Sequence, residues 1–313
     1  GVIQKLRFMF PPLVTGLVIL AIGLYLIPVA IKYAAGGAAD FQMAADSFGS
    51  LMHWTVALTV VVLSLVCKFL TKGLVSNAAI LIGLLGGYVV AMAMGMVNFG
   101  GVAKAAWFQV PTVMPYGFEI SIGAVIGVTL VSIVSAIETV GDTSATTKAG
   151  AGRDATDDEI AGATYADGLG TAVAAVFGGL PNTSFSQNVG IVGMTGIMSR
   201  HVVTIAGAIL VVCGLIPKIG AAVASMPLPV LGGGVIVMFG MVAAAGMNML
   251  TEVKMSRRNM IIISVSLAVG LGLNLVPSAV QHLPGIWKTL ATSAVAPTAL
   301  LAVVLNLALP EDD

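Results

Sequence analysis

Residues 181–200 read PNTSFSQNVGIVGMTGIMSR, and they interrupt an otherwise apolar chain with polar side chains and glycines. Pro181 cannot continue a helix, and the run of Asn, Thr, Ser and Gln after it predicts an extended segment. Gly190, Gly193 and Gly196 then recur at every third position, which predicts a short helix with one small face packed against a neighbour. The stretch therefore predicts a helix broken by a short extended piece.

Such a break has a specific meaning inside a membrane. A segment in hydrocarbon must satisfy its backbone N–H and C=O groups internally, so irregular backbone is tolerated only beside protein or a water-filled cavity. The free N–H groups at the start of the second half-helix, near Gln187, would point into the break between the two half-helices. We interpret residues 181–200 as part of a binding site, and a polar loop outside the membrane is the alternative.

The composition indicates the class of protein. Apolar residues make up 58% of the 313 residues, charged residues make up 9%, and the mean hydropathy is +1.04. These values indicate an all-α polytopic membrane protein. The formal net charge of zero argues against a nucleic-acid partner. Cys67 and Cys213 both lie in apolar runs and the three His residues are scattered, so neither a disulfide framework nor a metal site is expected.

About ten segments are candidates for crossing a bilayer. Two of them, residues 164–180 and 181–200, are irregular, because neither is a comfortable full span alone. The others are residues 11–31, 54–70, 75–97, 120–143, 202–217, 229–250, 260–276 and 289–309.

The positions of the basic residues support this assignment of membrane spans and loops. With the N-terminus inside, ten of the 14 Lys and Arg residues lie in cytoplasmic loops, which is the bias that membrane proteins show. Treating residues 164–200 as one crossing would move Lys254, Arg257 and Arg258 outside. Both ends of this chain are therefore expected to be cytoplasmic. The chain begins at Gly1 and enters a span after ten residues, so we expect an N-terminal truncation.

Three carboxylates fall in or beside the apolar spans: Glu138, Asp142 and Asp167. Each would cost about 2.5 to 3.5 kcal/mol at a helix centre in lipid, so they are expected to face the protein interior. Glu138 and Asp142 are four residues apart and share one helix face with Ser135 and Thr139. For Asp167, a structural cap at the start of the next helix is the alternative.

These residues resemble the successive signatures of the nucleobase-ascorbate transporters, also called nucleobase-cation symporter family 2. The matching segments are Glu-Thr-Val-Gly-Asp at 138–142, Ala-Asp-Gly-Leu at 166–169 and Gln-Asn-Val-Gly at 187–190, followed by Thr195. The resemblance implies a transporter with fourteen helical segments in two inverted repeats, of which this chain holds about ten, with one helix broken by a short strand. It implies a gate domain in residues 1–119 and 221–313 and half of a core domain in residues 120–220. A chain without the first four segments is expected not to transport by itself.

The resemblance also assigns roles at the site. Glu138 and Gln187 would bind the polar edge of a nucleobase, because a carboxylate accepts two N–H bonds and an amide offers a donor and an acceptor. Phe185 would pack near the ring, and the backbone at Asn188 would contact it. Gly190 and Gly193 are the motif glycines. Gln at position 187 points to xanthine or uric acid in the bacterial branch, and uracil or another nucleobase is the alternative substrate.

Import by proton symport across the bacterial cytoplasmic membrane follows from the same resemblance. Burial disfavours a charged carboxylate, so Glu138, Asp142 and Asp167 are the candidates for the proton carrier. Sodium coupling is the alternative, and no cofactor is expected beyond the ion gradient. The partners are a small nucleobase and membrane lipid. Gly83 and Gly87 form a small face that brings helices together or contributes to a homodimer.

Other classes fit the residues less well. An intramembrane aspartyl protease needs paired Asp residues in Tyr-Asp and Gly-x-Gly-Asp contexts, but Thr139 replaces the first Gly and no Tyr-Asp pair occurs. An enzyme is therefore not expected. A channel or anion exchanger of related architecture is a further alternative, although Glu138 would face an anion poorly. The run Gly232-Gly233-Gly234 lacks a following Lys, so it predicts close helix packing or gating flexibility and not a phosphate loop.

Overall fold

The computed structural model describes residues 11–185, 188–189, 192 and 196–310. Within these ranges, the side chains of residues 123, 126, 127, 130, 131, 134, 137 and 286 are not described. The described residues form α-helices, one 3₁₀ helix at Pro277–Val280 and connecting turns, and they contain no strand. The helices are α1 Pro12–Ala34, α2 Ala38–Gln42, α3 Leu51–Leu70, α4 Leu74–Asn77, α5 Ala79–Ala93, α6 Gly100–Lys104, α7 Ile122–Ala151, α8 Asp157–Val176, α9 Arg200–Leu215, α10 Pro217–Ala224, α11 Leu228–Thr251, α12 Arg257–Leu275, α13 Gly285–Thr292 and α14 Val295–Ala308.

Four of these helices, α1, α3, α11 and α12, are long and apolar enough to cross a membrane. The pair α9 and α10, bent by 91° between Leu215 and Pro217, raises this number to five if it counts as one span. The polytopic, all-helical class predicted from the sequence is thus confirmed. The predicted number of ten crossings is not supported by the described residues, and neither is the predicted short strand.

Several predicted spans are divided or shifted in the structure. The segment predicted at 75–97 is split into α4 and α5, and the segment at 289–309 is split between α13 and α14, where Ala294 has φ +60°. The helix predicted at 120–143 continues to Ala151 and ends where Gly152 adopts φ +67°. Hydropathy does not register such ends, because one left-handed residue can end a helix of any polarity.

The loop between α7 and α8 is fixed by a capping box. The Thr156 hydroxyl accepts from the backbone N–H of Glu159 at 3.3 Å, and Glu159 Oε2 accepts from the backbone N–H of Thr156 at 2.8 Å. The Arg153 guanidinium donates to both carboxylate oxygens of Glu159, at 2.6 and 2.9 Å. These bonds, from Arg153 first and then from the Thr156 backbone, lower the pKa of Glu159 to about 2. The helix therefore begins with a carboxylate that stays charged at neutral pH.

The chain divides into two compact units. The first consists of the described parts of Gly1–Tyr25, Thr112–Gly196 and Met241–Asp313, and the second consists of Leu26–Pro111 and the described parts of Ile197–Gly240. These units are defined by contacts between residues and say nothing about function. The division into a gate domain and a core domain therefore stays a prediction.

In the first unit, α1 and α11 approach each other through glycines. A Cβ added to Gly246 would clash with the backbone nitrogen of Leu20, and one added to Gly23 would clash with the backbone nitrogen of Ala243. Only glycine therefore lets the two helices pack at this separation. The buried apolar residues around this contact are Leu13, Val14, Leu17, Leu20, Ala243, Leu250, Ile262, Ala302 and Val303.

In the second unit, each glycine of the run 232–234 faces a different element. A Cβ on Gly232 would clash with the backbone of Ala34 at the end of α1, and one on Gly233 would clash with the carbonyl oxygen of Ala57 in α3. A Cβ on Gly234 would lie 2.8 Å from the Leu84 side chain of α5. The predicted close helix packing at this run is confirmed. Likewise, Gly83 of α5 faces Ser64 of α3, and Gly87 faces Val60.

Candidate functional site

The candidate site is built on the buried face of α7. Thr139 and Asp142 lie on this face with side chains that are only 2% and 4% exposed, and Glu138 is partly buried beside them. Gly141 faces Thr15 and Ile19 of α1, and a Cβ there would be in ordinary contact with them. The prediction that Glu138 and Asp142 face the protein rather than lipid is consistent with this burial.

The third carboxylate, Asp167, comes from the middle of α8. Asp167 Oδ2 accepts a hydrogen bond from the Thr139 hydroxyl at 3.0 Å, and the same hydroxyl lies 3.1 Å from the carbonyl oxygen of Ser135. The alternative that Asp167 caps a helix is wrong, because α8 begins at Asp157 and Thr156 is its N-cap. The capping box at Thr156, eleven residues before Asp167, accounts for this difference.

The third part of the site is the extended segment after α8. Ser184 Oγ donates to Asp142 Oδ2 at 2.8 Å and lies 3.4 Å from the Thr139 hydroxyl. One residue earlier, Thr183 Oγ1 accepts from the Ser135 hydroxyl at 2.9 Å. The segment is thus attached to the acidic face of α7 by side-chain hydroxyls.

The same segment is also attached to α8. The backbone N–H of Asn182 donates to Thr171 Oγ1 at 3.0 Å, and the Thr171 hydroxyl is 3.0 Å from the carbonyl oxygen of Asn182. Gly170, one residue before, leaves room for the Asn182 side chain. α8 has already ended at Val176, and Gly178 after it adopts φ +71°. In the extended segment that follows, these bonds give the backbone of Asn182 side-chain partners in place of helical ones.

The arrangement is a chain of polar groups that links two carboxylates. It runs from Asp167 through the hydroxyls of Thr139 and Ser184 to Asp142, and we call it the carboxylate–hydroxyl chain. Hydroxyl groups both donate and accept, so each can reverse its hydrogen bond when a neighbouring carboxylate gains a proton. A buried polar group of this kind can exchange protons or hold a polar ligand among otherwise apolar helices.

The predicted site residues fall into two sets. The structure places Glu138, Asp142 and Asp167 around this chain, and Phe185 follows Ser184 directly with 55% of its surface exposed. The backbone N–H of Asn188 donates to the carbonyl oxygen of Phe185 at 2.9 Å. The other predicted residues, Gln187, Gly190 and Gly193, lie outside the described residues.

Sequence reasoning missed four contributors to the site. Thr171, Asn182, Thr183 and Ser184 were read only as signs of irregular backbone or not at all, whereas they hold the segment in place. The signal was available in the density of hydroxyl residues beside Pro181, since a backbone without helical bonds needs side-chain partners in a membrane. Within the described ranges, no group of three or more His, Cys, Asp or Glu side chains is placed to hold a metal ion.

Apolar helices around a buried chain of carboxylates and hydroxyls define a membrane protein with an internal polar site, as a transporter requires. A family model described as "Permease family" matches residues 1–302, so the chain belongs to this family. This membership confirms the predicted resemblance to the bacterial xanthine and uric acid permeases and the prediction of a transporter rather than an enzyme.

The sequences of individual relatives align with nearly the whole of this chain. A putative purine permease of Clostridium perfringens is 39% identical over 315 residues, covering 99% of this chain and 67% of the relative. The uric acid permease PucK of Bacillus subtilis is 38% identical over 310 residues, covering 98% and 70%. The xanthine permease of the same organism is 37% identical over 307 residues, covering 97% and 68%. The chain is therefore similar to about two thirds of each relative.

Proposed function

We propose that the protein imports a nucleobase, xanthine or uric acid, by proton symport. The observation that carries the proposal is the carboxylate–hydroxyl chain, which joins α7, α8 and Ser184 of the extended segment, three residues before the family motif in the sequence. The names of the related permeases, which specify purine, uric acid and xanthine, support the substrate class.

Substrate recognition is assigned to Glu138 and Gln187. An oxidised purine alternates ring N–H and C=O groups, and a carboxylate facing an amide offers the complementary acceptors and donor. Glu138 lies one residue before Thr139 on α7, and it is partly buried. Phe185 and the backbone at Asn188 complete the proposed contacts, with Gly190 and Gly193 in the following motif. The Asn188 N–H, which donates to the carbonyl oxygen of Phe185, would exchange that bond for one to the base.

Proton coupling is assigned to Asp142 and Asp167, together with Glu138. An ionised Asp142 accepts the Ser184 hydroxyl, whereas a protonated Asp142 would offer a donor of its own. Protonation would therefore alter the bond between α7 and the segment that carries Phe185. Sodium as the coupling ion is the alternative, since intramembrane carboxylates also ligate sodium.

The finer architecture belongs to the same proposal. It has ten crossings in this chain, a broken helix with a short strand, and gate and core domains with the boundaries given above. Both ends of the chain lie on the cytoplasmic side of the bacterial membrane, and the protein forms a homodimer. The excess of Lys and Arg in the loops assigned to the cytoplasm supports this orientation.

Uptake of labelled xanthine by the complete gene product, in cells without other purine permeases, tests the proposal. We expect uptake that unlabelled uric acid inhibits, that uracil does not inhibit, and that a protonophore abolishes. Inhibition by uracil alone would contradict the purine assignment and favour the uracil alternative. Uptake that withstands a protonophore and requires sodium would contradict proton coupling, and failure to transport any base would favour a channel or anion exchanger.

A further inference from the structure

The second unit contains an apolar groove at the bend between α9 and α10. Its volume is about 510 Å³, within the range of about 300 to 1,000 Å³ that is typical of small-molecule sites. Its walls come from α5, α10 and the residues around them. The apolar lining residues are Leu85, Ile216, Ile219, Ala222, Val223 and Met226.

One cation lies in this groove. The Lys218 ammonium group is 4.5 Å from the ring centroid of Trp107, which also lines the groove, and donates to the carbonyl oxygen of Ala105 at 3.3 Å. An ammonium group has three N–H donors, so this carbonyl does not use them all. Among the residues that the structure describes, no carboxylate lies within 4 Å of Lys218 to neutralise it.

The polar groups at the other side of the groove are already paired. The Tyr88 hydroxyl is 2.7 Å from the Ser225 hydroxyl, and Ser225 donates to the carbonyl oxygen of Ala222 at 2.7 Å. The groove therefore presents apolar surface with positive charge at one place. A ligand that matches it has a long apolar part and a single anionic group.

The bend between α9 and α10 bears on where this groove lies relative to the membrane. Pro217 lacks an N–H group and begins α10 at 91° to α9. The side chains of α9 are apolar and exposed in this chain; they include Val203, Ile205, Leu210 and Val211, which are 61 to 71% exposed. If α9 crosses the bilayer by itself, as the prediction for residues 202–217 has it, a helix perpendicular to it runs along the interface, where Trp and Lys side chains are enriched.

We propose that the groove is a binding site for an anionic glycerophospholipid of the bilayer, with an acyl chain against the apolar walls and the phosphate on Lys218. The charge and the apolar lining together select this ligand over a zwitterionic lipid, whose own ammonium group would oppose Lys218. The site does not depend on which substrate the permease carries.

The test uses the complete gene product in vesicles with equal amounts of phosphatidylglycerol and phosphatidylcholine. One of the two lipids carries a photoactivatable group on its acyl chain in each experiment, and mass spectrometry quantifies its attachment to residues 216–226. We expect the phosphatidylglycerol probe to label this segment about fivefold more than the phosphatidylcholine probe, the factor that corresponds to ~1 kcal/mol per lysine near a membrane surface.

Matched variants test whether Lys218 causes the preference for phosphatidylglycerol over phosphatidylcholine. Lys218→Ala should reduce the labelling ratio to about one, whereas Lys218→Arg should preserve it because the charge remains. Lys104→Ala is the control, since Lys104 is an exposed lysine next to Ala105 that does not line the groove. Equal labelling by both probes, or a ratio that survives Lys218→Ala, would overturn the proposal. So would cross-linking of this segment to a second copy of the chain in place of lipid.

Discussion

The Glu138→Gln substitution is expected to abolish accumulation of xanthine against a gradient. The proposed site uses the Glu138 carboxylate to accept two N–H bonds from the base, and an amide offers one acceptor and an unwanted donor in the same place. Removing one partner of a buried, charged hydrogen-bonded pair costs at least ~2 kcal/mol, which corresponds to about thirtyfold weaker binding. The loss of a titratable group removes coupling as well. Uptake of labelled xanthine by cells, compared with binding to purified protein, measures both effects.

The control for this variant is Glu119→Gln. Glu119 is exposed and lies before α7, away from the buried face that carries Thr139 and Asp142. The Glu119→Gln variant should transport xanthine like the unaltered protein. Cells with Glu138→Gln that still concentrate xanthine would show that Glu138 neither binds the base nor carries the coupled proton.

Gly246→Ala is expected to destabilise the folded protein by about 3 kcal/mol, the upper end of the cost of overpacking a core. The three atoms nearest to the added Cβ would all be backbone atoms, among them the Cα of Leu20 at 2.7 Å and the carbonyl oxygen of Gly16 at 2.9 Å. Backbone atoms cannot rotate away as a side chain does, so α1 and α11 would have to separate along their buried contact. The thermal unfolding midpoint of the purified protein measures the loss.

Gly240→Ala provides the matched control on the same helix. A Cβ at Gly240 would have no neighbour within 4 Å, and alanine favours a helix over glycine by about 0.5 to 1 kcal/mol. This variant should unfold at an equal or higher temperature. Equal midpoints for the two variants would mean that α1 and α11 are not held together through Gly246.

Much of the helical architecture is predictable from the sequence. Apolar runs gave the positions of α1, α3, α11 and α12 to within a few residues, because hydrocarbon leaves a chain few alternatives to a helix. The breaks inside the runs at 75–97 and 289–309 were not predictable in this way. They depend on local backbone geometry, such as φ +60° at Ala294, and not on polarity.

The site was predictable as a set of residues and not as a geometry. Spacing along α7 placed Glu138 and Asp142 on one face, since residues four apart are neighbours on a helix. It could not show that Thr139 and Ser184 connect Asp142 to Asp167, because those bonds join three segments that the chain brings together only on folding. The position of Asp167 was misread for the same reason: its role depends on where α8 begins, which the capping box at Thr156 decides.

The most direct test of the central claim, that residues 181–200 form part of the substrate site, is protection of Phe185→Cys from a maleimide. The complete gene product would have its other cysteines, including Cys67 and Cys213, replaced by Ser. Phe177→Cys is the comparison, because Phe177 is 46% exposed against 55% for Phe185 but lies at the end of α8. The account predicts that saturating xanthine slows labelling at position 185 and leaves labelling at position 177 unchanged. Equal labelling rates at position 185 with and without xanthine, in protein that transports it, would contradict the account.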